Sequence, residues 1–435
     1  MAKVIIFWFR RDLRLNDNAG LFQALKENEN VLPLFIFDSD ILDKLEDSRD
    51  PRVTFIYQTV AGIKNTLQRK KSDLVVRYGK PLEVFKALFE EKKFTAIYTN
   101  HDYEPSARER DEKVAKWAQK SGVEFKSFKD QTLFEKEEIL TEARKPYTVY
   151  TPYKKKVLSS LEPFYLKSYP NDLYESSFAK IAKPEKMMPL SEIGFVESTL
   201  EFPSMELSTK VLKNYAKTRD FPALEHGTTR LGLHLRFGTV SVRELAREGK
   251  KYSDVWLSEL IWRDFFMQIL WHFPHVEKQS FRPDYDKIAW RSSKSDFQRW
   301  AEGMTGYPLV DAGMRELNNT GHMHNRVRMV TASFLCKHLL THWHEGERYF
   351  AKKLLDFDLA ANNGNWQWAA GSGCDAAPYF RIFNPEAQAA KFDPQMEYIR
   401  KWVPEVGTTK YPQPMIEHAE ARGRCLQEFT KALKK

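Results

Sequence analysis

The chain has 435 residues, 42% of them hydrophobic and 29% charged, too long for one small core and too balanced in composition for a membrane protein or a disordered chain. Its 68 basic and 59 acidic side chains leave a net charge of +9, with +7 of it from Glu206 onward and +2 before that. A basic second half suits a polyanionic partner, although on charge alone a moderately basic protein without one fits equally well. Three cysteines, Cys336, Cys374 and Cys425, show no Cys-x-x-Cys spacing, which excludes a disulfide framework and a zinc cluster.

In chain order, the first apolar run is Val4–Phe9, closed at once by Arg10 and Arg11. It is too short to span a membrane and has the wrong flanks for a secretory leader, so the expected compartment is the cytoplasm. Further strand-like runs follow at Val31–Phe37, Leu74–Val76, Thr95–Tyr98 and Glu124–Phe128. Between them lie segments of helical period at Asn18–Lys26, Arg52–Gln68, Leu82–Glu91 and Ser106–Gln119, and this alternation predicts a parallel α/β sheet over residues 1–135. No Gly-x-Gly-x-x-Gly follows the first strand and no phosphate-loop motif occurs, so neither a dinucleotide nor a nucleoside triphosphate is indicated there.

Residues 136–205 are polar, rich in tyrosine and punctuated by prolines. They read as an interdomain connection, expected to lie over the second domain rather than hang free. From 206 to 435 the pattern is helical, with segments at Val242–Glu248, Val255–Trp271, Phe297–Ala301, Ala312–Asn318, His324–His338 and Glu345–Leu355. Nine of the 11 tryptophans fall between Trp256 and Trp402, a density suited to stacking on bases or a flat cofactor. The chain ends in Lys434 and Lys435 shortly after the last helical pattern, so no long C-terminal tail is expected.

Several strings could carry chemistry. Glu259, Trp262 and Arg263 stand at i, i+3 and i+4 and share one helix face, as do Asn325, Arg328 and Met329. Asp358, Asn362 and Trp366 follow at i,i+4 steps, with Trp368 turned to roughly the opposite side. The run Asn362-Asn363-Gly364-Asn365 forms helix poorly, so it is either a turn with an Asx-type cap or a helix that breaks a local rule for a function. Gly227-Thr228-Thr229-Arg230 suits a phosphate at a helix start, or an ordinary threonine cap. His338 and His342 are i,i+4, but no carboxylate completes a ligand spacing, and no metal is expected.

Taken together, WFRRDLRLNDN (Trp8–Asn18), WLSELIWRDF (Trp256–Phe265), GYPLVDAGMREL (Gly306–Leu317), GHMHNRVRM (Gly321–Met329), EGERYF (Glu345–Phe350) and DLAANNGNWQWAAGSGCDAAPYFRIFNP (Asp358–Pro385) closely resemble the DNA photolyase and cryptochrome family. Within it the pattern is most similar to class I cyclobutane pyrimidine dimer photolyases. The resemblance implies an N-terminal, Rossmann-like α/β domain of antenna type and a mostly α-helical C-terminal domain that binds FAD and DNA. The activity implied is that of a deoxyribodipyrimidine photolyase, a carbon-carbon lyase: light-driven electron donation from reduced FAD to a flipped-out dimer, ring splitting, and return of the electron.

The resemblance also implies roles for residues. Thr228, Thr229, Arg230, Leu231 and Gly232 would hold the FAD phosphates, with Tyr215 nearby; many members have Ser where Gly232 stands, so only its backbone could contribute. Arg263, Asn325, Arg328, Asp356, Asp358 and Asn362 would surround the flavin and adenine, with Asn362 facing flavin N5. Trp262 and Trp368 would sandwich the dimer, Glu259 and Asn325 would hydrogen-bond its edge, Met329 would pack beside it and Arg219 would take a phosphate. Trp366, Trp343 and Trp290 match the electron-carrying tryptophan chain. Photolyases for (6-4) products show His at the places of Asn325 and Met329, so cyclobutane dimers are favoured; a cryptochrome-type blue-light photoreceptor is the nearest rival. Tyr103-Glu104 is followed by Pro105-Ser106-Ala107 rather than the Asn-Glu of folate-binding members, leaving folate, deazaflavin, another flavin or no antenna open. The expected partner is UV-damaged DNA, with no membrane, and the expected state is a monomer.

Overall fold

A computed structural model describes residues 3–433; Lys434 and Lys435 lie outside the described residues. The chain divides into two compact units. One holds the residues up to Glu135 together with Leu161–Glu206 and Leu231–Glu248; the other holds Lys136–Ser160, Leu207–Arg230 and the chain from Gly249 on.

The first unit is built on five strands, β1 (Ile5–Phe9), β2 (Val31–Asp38), β3 (Val75–Gly79), β4 (Ala96–Asn100) and β5 (Glu124–Phe128). They form one parallel sheet in the order β3-β2-β1-β4-β5. The order reverses at β1, as in doubly wound sheets, and β1 is buried at every residue, which is why it reads as a continuous apolar run. Helices Ala19–Glu27, Pro51–Arg69, Pro81–Lys92 and Pro105–Lys120 connect the strands. Three open on proline, whose fixed φ suits a first turn; Asn18 and Asp50 cap theirs by accepting from Leu21 N and Arg52 N.

The structure divides the middle of the chain differently from the sequence reading. Leu161–Glu206 packs with the sheet: Ala179 N donates to Val31 O (2.8 Å), and Asn18 and Asn171 exchange hydrogen bonds of 3.1 Å. Leu231–Glu248, helical in period, also belongs there, because Arg243 pairs with Asp130 (2.8 Å) and Asp17 (2.9 Å). Gly238 sits at φ +66°, and a Cβ there would come 2.2 Å from Arg11 O, so only glycine fits. Lys136–Ser160, by contrast, joins the helical unit, with Gln268 Nε2 donating to Ile139 O at 2.7 Å.

The second unit is helical, including Thr209–Thr218, Asp254–His272, Pro308–Thr320, Asn325–Ser333, Trp343–Lys353, Leu359–Ala370 and His418–Leu433. The helix expected over His324–His338 begins after its cap residue His324 and widens into a π-turn at Phe334–His338. Trp300, Trp343 and Trp366 lie in its core with Met314, Val327 and Phe334. His338 bonds His418 (2.8 Å) while His342 caps the next helix, so the two expected neighbours serve separate structural ends. No described helix is long and apolar enough to cross a membrane.

Candidate functional site

The run of poor helix formers is a continuous helix, Leu359–Ala370. Asp358 caps it by accepting from Ala361 N (3.1 Å). Asn363 Nδ2 donates to Val276 O (2.9 Å), Asn365 Nδ2 to Ala361 O (2.8 Å), and Gly364 makes room for Phe266, whose ring a Cβ would meet at 2.1 Å. Asn362 Nδ2 donates twice to Glu347, to the backbone O at 3.1 Å and to Oε1 at 2.8 Å. Tertiary partners thus compensate Asn362, Asn363 and Gly364, while Asn365 bonds back within its own helix.

This helix forms one wall of a cleft that encloses about 590 Å³, part of it open to solvent. Asn325, Arg328, Met329, Asp356, Asp358, Asn362, Trp366 and Trp368 all line it, so both indoles face the same space rather than opposite sides. Trp366 is buried against Phe350 (5.0 Å between ring centres), and Trp368 is half-buried. Arg328 is fixed by Met323 O (2.7 Å) and Asp356 Oδ2 (2.9 Å). Asp356 Oδ1 is buried with no hydrogen-bond partner among the described residues, a state that a ligand donor relieves. A guanidinium, a carboxylate with spare capacity and an amide oxygen on an aromatic-walled cleft fit a flavin nucleotide.

A second cluster lies on the Asp254–His272 helix. Glu259 pairs with Arg219, the residue that ends helix Thr209–Thr218. Burial lifts the Glu259 carboxyl above its ordinary value and the Arg219 charge opposes that rise. Arg219 also lies over the buried Tyr215 ring (5.5 Å) and 3.9 Å from Asp220. Asp220 in turn pairs with Arg326 (2.8 Å), next to Asn325, which links this cluster to the cleft. Trp262 is half-buried, with Tyr150 stacked on it at 3.5 Å and 8°. Arg263 is half-buried too, 3.6 Å from Asp264.

Thr228 and Thr229 cap no helix. The six-residue helix Gly232–Phe237 starts after Leu231, which makes no side-chain cap bond. Thr229 Oγ1 accepts from Trp256 Nε1 (3.3 Å), and Arg230 is exposed with its backbone at φ +51°. Trp343 is fully buried and Trp290 half-buried.

Comparison with known proteins decides what this assembly is. Residues 5–171 match the family model described as DNA photolyase, and residues 256–409 the FAD binding domain of DNA photolyase. The chain is 36% identical to a deoxyribodipyrimidine photo-lyase of Escherichia coli over 99% of both chains. It is 34% identical to one of Synechococcus over 96% of this chain and 94% of that one. The chain belongs to the DNA photolyase family.

Solved members of the family share the fold. A bacterial class III photolyase from Agrobacterium tumefaciens matches with TM-score 0.87 and 31% identity, covering 100% of this chain and 98% of that one. A Sulfolobus tokodaii photolyase solved with two FAD molecules matches at 0.84 and 35%, over 98% and 100%. A Synechocystis cryptochrome matches at 0.86 and 25%, over 98% and 99%. FAD is therefore the cofactor of the helical unit.

Against that family background, the N-terminal motif is structural: Arg14 and Asp17 are absorbed in ion pairs with Asp130 and Arg243. Tyr103 is buried and donates to Glu135 (2.6 Å), and Glu104 pairs with Arg11 (2.7 Å) and Arg236 (2.5 Å). The sequence reading missed Glu347 and Asp220. Both act across helices, where no local periodicity marks them; Glu347 lay inside the quoted EGERYF string, its only signal.

Proposed function

We propose that this chain repairs cyclobutane pyrimidine dimers in DNA as a light-driven deoxyribodipyrimidine photo-lyase. The observation that carries the reading is the convergence of Asn325, Met329, Asn362, Trp366 and Trp368 on one cleft beside Arg328 and Asp356. Reduced FAD supplies the light-excited electron. Arg328, Asp356, Asp358 and Arg263 hold the flavin and adenine, while the Thr228–Gly232 string and Tyr215 serve its phosphates. Asn362 has spent its Nδ2 on Glu347, so its Oδ1 is the group left to accept a hydrogen bond from the flavin edge.

A dimer within a duplex cannot reach a buried cofactor, and photolyases are among the enzymes that extrude the target nucleotide, at a cost of a few kcal/mol. Trp262 and Trp368 stack on the extruded dimer, each worth about 1–3 kcal/mol, which offsets that cost. Glu259 and Asn325 bond the pyrimidine edge, Met329 packs beside it and Arg219 meets a phosphate. No general base is required, so Glu259 acts by electrostatic stabilisation of the charge developed on the dimer. Trp366 and Trp343 are buried and Trp290 half-buried, and the three would pass an electron inward to reduce the bound cofactor. The protein acts as a monomer in the cytoplasm.

The test is repair of an oligonucleotide carrying one thymine dimer by the reduced protein, with and without blue light. Restored thymines only in the light support the reading. Absence of repair while FAD stays bound and photoreducible replaces it with a photoreceptor or a (6-4) lesion, and withdraws the substrate roles of Trp262, Asn325, Met329 and Trp368.

A further inference from the structure

We propose that Tyr150 is a positioning residue of the substrate site: it backs the Trp262 indole and sets the plane from which that ring stacks on the extruded pyrimidine. The proposal rests on the reading of Trp262 as a stacking surface. Tyr150 opens the helix Tyr150–Ser160, in the segment Lys136–Ser160 that reads as a mere connection in the sequence and belongs to the helical unit in the structure. Its ring lies parallel to the indole at 3.5 Å and 8°, whereas Phe265 and Phe266 pack against Trp262 at 5.7 and 5.5 Å.

Two hydrogen bonds fix the tyrosine. Its hydroxyl donates to Ser258 O (2.7 Å), one turn before Trp262 on the same helix, and its backbone N–H donates to Asp375 Oδ2 (3.0 Å). Tyr150 is buried and Trp262 half-buried, so the side that the indole keeps open is not the one Tyr150 covers. Burial raises the Glu259 carboxyl, and after Arg219 the charge of Lys154, on the next turn of the Tyr150 helix, also opposes that rise.

A half-exposed tryptophan that rotates freely loses that freedom each time a base binds; one already backed by a planar neighbour on one face does not. An aromatic pair of this geometry is worth enough to shift an affinity by several-fold to about tenfold. A role confined to folding would weaken damaged and undamaged DNA alike, whereas a stacking role acts only on the extruded dimer.

The experiment measures equilibrium binding of the FAD-loaded protein to a duplex with one thymine dimer and to the same duplex undamaged, together with single-turnover repair of the bound dimer. Tyr150→Leu, and Tyr150→Met should the first fail to fold, are expected to lose about tenfold in dimer affinity with undamaged binding and repair per bound dimer unchanged. Tyr150→Phe, which keeps the ring, is expected to restore affinity to within about twofold of the parent. Equal loss for both duplexes, or parental dimer affinity in the Leu and Met variants while Trp262→Ala is weakened, overturns the proposal alone. Unchanged dimer affinity in Trp262→Ala overturns the substrate-site reading and this proposal with it.

Discussion

Both units bury charged side chains, and they do so to opposite ends. In the sheet unit Asp130 is fully enclosed and answered by Arg14 at 2.7 Å and Arg243 at 2.8 Å, while Asp17 takes the rest of Arg243. In the helical unit Asp356 answers Arg328 with one oxygen and leaves the other without a partner among the described residues, and Glu259 shares Arg219 at a half-exposed position. The ion pairs of the sheet unit lock three distant stretches of chain into one body, whereas Asp356 keeps acceptor capacity ready for a ligand. The difference teaches that unused valence in this protein marks a site where it lines a cleft, as at Asp356, and not inside an enclosed ion-pair core, as at Arg14 Nε.

That contrast can be broken most severely at Asp130. Asp130→Ala strands two buried arginines and is expected to cost about 3–5 kcal/mol of stability, read as a lower denaturation midpoint; a loss under 1 kcal/mol would mean that the network is decorative. A smaller effect is expected in the helical unit from Gly364→Ala, where the added methyl meets Phe266 at 2.1 Å. Overpacking of this kind costs about 1–3 kcal/mol, and flavin content measured after purification should fall with it.

Glu259→Ala sharpens the other side of the comparison. Repair is expected to drop about tenfold or more, while flavin absorbance and melting temperature stay close to the parent; normal repair would remove Glu259 from the site. The pH dependence follows from the same pair. Burial raises the Glu259 carboxyl and Arg219 opposes that rise, so Arg219→Ala should move the acid limb of dimer binding to higher pH, and a limb left in place or moved down would separate the two residues. The gentlest probe is salt. Affinity for damaged duplex should fall with a log–log slope of about −0.9 per neutralised phosphate, and a flat titration would deny that the basic second half meets DNA.

How much was legible in the sequence varied by element. Strands β1, β2 and β4 were visible because each is an almost wholly buried run, and the helices between the strands because their apolar residues recur at helical spacing. The segment Asn362-Asn363-Gly364-Asn365 was ambiguous because propensity counts only local terms, whereas Glu347, Val276 and Phe266 supply the compensation from other helices. Residues 136–205 read as a connection since their partners, Ser258 for Tyr150 and Asn18 for Asn171, lie about a hundred residues or more away.

By itself, then, the sequence determined the classes of the two units, the family through its long ordered strings, and the residue types available for flavin and DNA. Only the tertiary structure decided which charges close on one another and which stay open, that Leu231–Glu248 belongs with the sheet, and that Tyr150 stands behind Trp262. The physical reason is range: apolar periodicity is written along the backbone within a few residues, whereas ion pairs, amide orientation and ring stacking depend on partners that meet only when the chain has folded.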